Sequence, residues 1–184
     1  MNGERNDRWL FWMKMGIAAA LVALAAALRV VAHPWNFTPI GAMALFSGAT
    51  FRQRWIKFVF PLAALFVGDV FVGFHKLMIV VYVSFLVSVA IGMWIGEERK
   101  LPRLAGGTLL GALQFFLSTN FAIWVTFLTY PKTVAGLLAC YAAGLPFFWN
   151  TLAGDTVYVV LLFGGYALAE RLFTSQQRTA EEPG

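Results

Sequence analysis

LMIVVYVSFLVSVAIGMWIG, residues 77–96, is the stretch that decides the fold. It runs for 20 residues without Asp, Glu, Lys or Arg. At about 1.5 Å per residue, a helix of that length crosses the roughly 30 Å hydrocarbon core of a bilayer. Behind it, Phe74, His75 and Lys76 form a tight turn, and Ile56–Gly73 reads as another span with Asp69 inside it. Ahead of it, EERKLPR is a polar loop, followed by Leu104–Tyr130, 27 residues without a charge, with Asn120 toward its far end. Tyr130, Pro131 and Lys132 break that run.

The same reading extends to both ends of the chain. Leu10–Leu28 gives a first helix, interrupted only by Lys14. HPWNFTP, residues 33–39, is irregular because its two prolines and its Asn oppose a helix. Ile40–Phe51 is a short helix closed by Arg52, Arg54 and Lys57, and Asn150–Leu168 is the last helix, with Asp155 inside. Residues 133–148 are either a further span or a short helix lying over the bundle, set apart by PFFWN. The expected fold is an all-α polytopic membrane protein, a bundle of six transmembrane helices, with seven as the alternative. One transmembrane domain covers residues 1–172, and a polar cytoplasmic tail covers 173–184.

Composition agrees. Of 184 residues, 60 % are hydrophobic and only 12 % charged, against about 25 % charged in ordinary soluble domains. Mean hydropathy is +0.71. Disorder, a coiled coil and a soluble α/β enzyme are excluded. The net charge of +5 comes from short basic clusters between apolar runs, which set membrane orientation rather than bind nucleic acid. With the N-terminus inside and six spans, eleven Lys and Arg fall inside and three (Arg29, Lys76, Lys132) fall outside. Both termini are therefore expected in the cytoplasm. The one cysteine makes no internal disulfide, no metal-ligand spacing occurs, and the N-terminal stretch reads as a retained helix rather than a removed signal.

Polar residues at membrane depth are the candidates for function, because an acid at a helix centre costs roughly 3 kcal/mol on insertion scales. Asp69 and Asp155 sit in similar settings. PLAALFVGDVFVG, residues 61–73, and PFFWNTLAGDTVYVV, residues 146–160, each place Gly-Asp eight or nine residues after a proline. Both carboxylates are expected in the outer part of the membrane, where each faces a pocket or accepts hydrogen bonds from nearby backbone. Asn36, Phe37, Thr38, His75, Asn120, Trp124, Tyr130 and Asn150 gather at the same side. They line a site or, for the aromatics, form an interfacial belt. Ala19, Ala23 and Ala27 form a small-residue stripe that lets another helix approach, within the bundle or from another protein. Gly107 and Gly111 make a second small pair.

HPWNFTPIGAMALFSGA (33–49), GDVFVGFHK (68–76), STNFAIWVTFLTYP (118–131) and PFFWNTLAGD (146–155) resemble a family of uncharacterised bacterial membrane proteins. These are allied to the substrate-binding membrane subunits, or S components, of energy-coupling-factor vitamin transporters. The resemblance covers roughly residues 29–165. It implies a multi-pass protein of the bacterial inner membrane that takes up a vitamin-like small molecule through an outward-facing pocket. Asn36, Phe37, Asp69, His75, Asn120, Trp124, Tyr130, Asn150 and Asp155 would bind it. It also implies contact of Ala19 and Ala23 with a transmembrane coupling subunit that carries cytoplasmic ATPases. The chain itself has no Walker A sequence. Some relatives take up cobalamin without the coupling module and bring a cysteine to the cobalt. Here Cys140 lies in an apolar run and His75 in an outer turn, so a metal contact by either is expected only with a cobalt-bearing ligand. No resident cofactor is expected. Two other classes stand beside this one: an intramembrane or lipid-modifying enzyme using Asp69, His75 and Asp155, and a non-catalytic membrane scaffold. Val67-Gly68-Asp69 and Ala153-Gly154-Asp155 each lack the first glycine of the Gly-x-Gly-Asp protease motif.

Overall fold

The computed structural model describes residues 12–13, 15–20, 23–24, 27 and 36–181, with side chains as far as Leu172 apart from Val72. His33 and Trp35 lie outside the described residues. The described residues before 28 are helical, and five helices follow: α1 (Ile40–Thr50), α2 (Arg54–Val72), α3 (Met78–Ile95), α4 (Leu101–Thr126) and α5 (Val134–Glu181). The result is an all-α bundle of six helices. Three of them hold segments long and apolar enough to cross a membrane, Met78–Ile95, Leu101–Thr126 and Val134–Leu172. Large apolar side chains stand exposed around the bundle, among them Phe71, Ile79 and Leu128. Contiguous apolar surface of this kind marks a protein whose solvent is lipid.

The chain alternates between two ends. One, the basic end, carries the 51–53 and 96–100 connections. The other, the loop end, carries 36–39, 73–77 and 127–133.

The centre of the bundle is α1, at 11 residues too short to cross a bilayer. Nine of its residues, Ile40 and Ala42 to Ala49, are buried. Small residues let its neighbours close in. A Cβ on Gly48 would lie 2.1 Å from the Val89 carbonyl oxygen, and one on Gly92 would lie 2.2 Å from that of Leu45. α1 and α3 therefore touch backbone to backbone. Phe46 then packs edge-on against Phe163 of α5, with ring centroids 5.2 Å apart.

α2 contains Pro61. A proline inside a helix cannot donate to the carbonyl four residues back, here Lys57. That carbonyl accepts the Ser47 hydroxyl of α1 at 2.9 Å. Lipid offers no water to an orphaned carbonyl, and a neighbouring helix supplies the donor instead.

α3 and α4 are joined by a polar ladder. The Gln114 amide donates to the Ser84 carbonyl and to the Ser88 hydroxyl, each at 3.0 Å, and the Ser84 and Ser118 hydroxyls are 2.7 Å apart. Gly107 closes on α3 as well, where an added Cβ would lie 2.7 Å from Ile95 Cδ1.

The largest departure from the sequence reading is α5. Residues 133–148 are neither a separate span nor a helix laid over the bundle. The helix starts at Val134 rather than Asn150 and runs unbroken through Pro146 for 48 residues, into the polar tail as far as Glu181. The PFFWN stretch is apolar up to Asn150, and the neighbouring α4 supports it: Phe148 packs on Phe116 with centroids 5.3 Å apart. At about 1.5 Å per residue α5 is roughly 72 Å long, more than the about 45 Å of a whole bilayer. α4 differs less. It begins at Leu101, with Pro102 in the first turn where a proline is tolerated, and ends at Thr126.

The small-residue stripe of the first helix faces α2. Ala18 is fully buried. Ala19 looks across an apolar gap of about 340 Å³ toward Phe51, Trp55 and Phe60. Ala23 and Ala27 look across a second, of about 410 Å³, toward Ala63, Ala64 and Gly68.

Candidate functional site

At the loop end a cavity of about 230 Å³ opens between the 36–39 loop, the His75 turn and α5. Asn36, Thr38, His75 and Thr151 ring its upper part. Asp155 and Gly41 form one wall, and Ser88, Gly111 and Phe115 lie at its floor. Ser88 is ten residues inside α3, so the cavity reaches about 15 Å down, near mid-bundle.

Asp155 is the central group. It is 3 % exposed, and its Oδ1 accepts the Ala42 backbone N–H at 3.1 Å. Ala42 belongs to the first turn of α1, whose N-cap residue, Pro39, makes no side-chain cap. The Asp155 side chain thus caps α1 from 113 residues away. Gly41 makes this possible, since a Cβ there would stand 2.3 Å from Asp155 Oδ1.

The entrance is shaped by the 36–39 loop. Asn36 has a φ of 61°, a left-handed conformation that Asn tolerates better than most residues. The next residue, Phe37, packs on Tyr158 with ring centroids 5.9 Å apart and presses its backbone against Gly154.

Of the nine residues expected to bind a ligand, Asn36, His75 and Asp155 line the cavity. Phe37 lies behind the wall. Asp69 is 1 % exposed and outside the cavity, where it accepts the Tyr82 hydroxyl at 2.8 Å. Each Gly-Asp pair of the internal echo therefore steadies the first turns of another helix. Asn120 donates to the Phe116 carbonyl at 2.9 Å and fills the space over Gly144, so it belongs to the α4–α5 contact. Trp124 donates to the Pro131 carbonyl at 2.8 Å. Lys132 meets the carbonyls of Trp124, Val125 and Phe127, placing a cation at the C-terminus of α4, where the helix dipole favours it. Tyr130 and Asn150 are half-buried and away from the cavity. The Cys140 thiol points to the Asn120 carbonyl at 3.4 Å, between α4 and α5. Asp69, His75 and Asp155, the acids and base an enzyme would need, do not share one cavity.

Ser88 and Thr151 escaped the sequence reading. The signal for Ser88 was present: Ser84 and Ser88 are the only hydroxyls on one helical face of an otherwise apolar run.

One family profile matches the chain, over residues 10–178, and is described as a family of unknown function (DUF6580). No curated protein matches. No solved structure matches either.

Proposed function

The chain belongs to that family, and since the family's description carries no activity, we propose from the cavity that the protein binds a small polar solute at the outer side of the membrane and delivers it inward. It would do so in the manner of an energy-coupling-factor S component. The supporting observation is the cavity itself, walled by Asn36, His75, Thr151 and Asp155 and descending to Ser88. Amide, imidazole, hydroxyl and carboxylate groups converge there inside an otherwise apolar bundle, the usual make-up of a small-molecule site. The excess of Lys and Arg at the other end orients the mouth outward.

Size narrows the ligand. The volume of the cavity is about 230 Å³. It lies below the roughly 300–1,000 Å³ of sites for drug-sized ligands. Within the vitamin-like class, a single-ring vitamin or precursor fits. A corrin would require the 36–39 loop and the His75 turn to separate. Release inside would rely on a coupling subunit with ATPases, meeting the chain near Ala19 and Ala23, or on reorientation of the protein.

Native mass spectrometry of gently purified protein tests this reading. A small adduct is expected on the wild type. It should be lost in Thr151→Leu, which fills the cavity, and weakened in Asn36→Gly, which keeps the φ of 61° and removes the amide. An empty protein that binds nothing in a vitamin and precursor panel, or an adduct indifferent to both changes, overturns it.

A further inference from the structure

α4 and α5 are pinned together at both ends. At the loop end, Tyr141 donates to the Leu117 carbonyl at 3.0 Å. At the basic end, Arg99, just before α4, pairs with Glu170 at 3.0 Å and lies over the Tyr166 ring. Between these points the helices lean apart. α5 leans on α1 through Phe163, and α4 leans on α3 through Gly107. A cavity of about 950 Å³ is left between them, walled by Leu104 and Thr108 of α4 and by Leu152, Val160, Phe163 and Gly164 of α5.

Its shape selects the occupant. The lining runs along α5 from Leu152 to Arg171, about 28 Å of helix rise. A long groove with so apolar a lining suits a flexible hydrocarbon chain. Gly164 adds a second observation. A Cβ there would meet nothing within 4 Å among the described residues, so no contact among them calls for glycine. Glycine inside a helix costs about 0.5–1 kcal/mol against alanine. The open space above it is thus available to a molecule from outside the chain.

The mouth selects the headgroup. Glu97 and Arg171 both line it and are exposed, and neither is ion-paired among the described residues. The other charges there are Arg99, paired with Glu170, and Glu98, paired with Lys100 at 2.8 Å. One open cation and one open anion complement a headgroup bearing both a phosphate and a hydrogen-bonding ammonium. We propose that this wedge holds one phosphatidylethanolamine-type phospholipid of the inner leaflet. One acyl chain would lie against Gly164, the phosphate at Arg171 and the ammonium at Glu97. The site is separate from the loop-end cavity, and the proposal does not depend on what that cavity binds.

The test is native mass spectrometry of the full chain after incubation with an equimolar mixture of phosphatidylethanolamine, phosphatidylcholine and phosphatidylglycerol of matched acyl chains. One phosphatidylethanolamine per protein should survive detergent stripping, enriched about tenfold or more over the other two classes, the factor that one good charge-assisted contact supplies. Gly164→Leu, which fills the wedge, should abolish retention of all three lipids. Glu97→Gln, which removes the ammonium's partner, should abolish the enrichment, and Arg171→Gln, which removes the partner of the phosphate that all three share, should lower retention of all three. Thermal unfolding followed by circular dichroism checks that each variant is folded, and Ala105→Phe fills the wedge from the opposite wall should Gly164→Leu fail. Equal retention of all three lipids, enrichment of phosphatidylglycerol, a lipid-free dimer, or enrichment that survives filling of the wedge overturns the proposal.

Discussion

Ser47 and Pro61 show how one residue's deficit becomes another's role. Ser47→Ala strips the donor from a carbonyl that Pro61 has already deprived of its helix partner. The expected loss is about 1–3 kcal/mol, the cost of an unsatisfied buried polar group. In a Pro61→Ala background residue 61 regains an N–H for that carbonyl, so the same Ser47→Ala change should cost distinctly less. A double-mutant cycle by unfolding in one detergent measures the difference, and equal costs in both backgrounds would refute the link. Asp155 supports a second prediction at this scale. Asp155→Asn keeps an oxygen for the Ala42 N–H, whereas Asp155→Leu leaves the first turn of α1 without its acceptor. Asp155→Leu should be the less stable by about 1–2 kcal/mol, within the range for loss of an N-cap. The relative Tm of the two variants is the check.

Among the elements, the α1–α3 crossing is the least forgiving. Gly48→Ala and Gly92→Ala would drive a methyl group into carbonyl oxygens of the opposite backbone, at 2.1 and 2.2 Å, and backbone cannot turn aside as a side chain can. Each is expected to cost at least the ~1–3 kcal/mol typical of overpacking. Gly107→Ala meets only the tip of Ile95 and should cost less. Thermal unfolding and gel filtration of the three variants rank them. These contacts also show what could be read from sequence. The limits of α1, α2 and α3 were legible within about two residues, because arginines, prolines and glycines stand where the apolar runs stop. The Gly107–Gly111 pair was legible as a close-packing face. Gly48 and Gly92 were not, since nothing along the chain says that helices forty residues apart will meet there. α5 was misread because Pro146 looked like a boundary. Proline opposes a helix on local grounds, but packing of Phe148 against Phe116 and the absence of competing water keep the helix whole.

For the whole molecule, membrane class was legible, because charge-free length is a sum over many residues. Which polar groups share a cavity was not. Asp69, Asn120 and Asp155 look alike in sequence, and only the packing of α1 against α5 gives Asp155 a cavity wall while the others bond within the bundle. The orientation read from basic residues has its own test. In a Cys140→Ala background, Lys100→Cys should react with a membrane-impermeant maleimide only in opened cells, and Lys132→Cys in intact ones. The reverse pattern would turn the cavity mouth toward the cytoplasm.

The cap on α1 has a consequence in time. Ala42 leaves the ribosome 113 residues before Asp155. At about 5–20 residues per second, that interval is roughly 6–20 s. Throughout it α1 is too short to be held as a spanning segment and has no acceptor for its first turn. The nascent chain must therefore park its most buried helix provisionally, shielded by the insertion machinery or by α2 and α3. The wall of the loop-end cavity is completed only when the last helix arrives. A translation product halted before residue 155 cannot build that wall, so any ligand of the cavity would recognise only chains that have passed this point in synthesis.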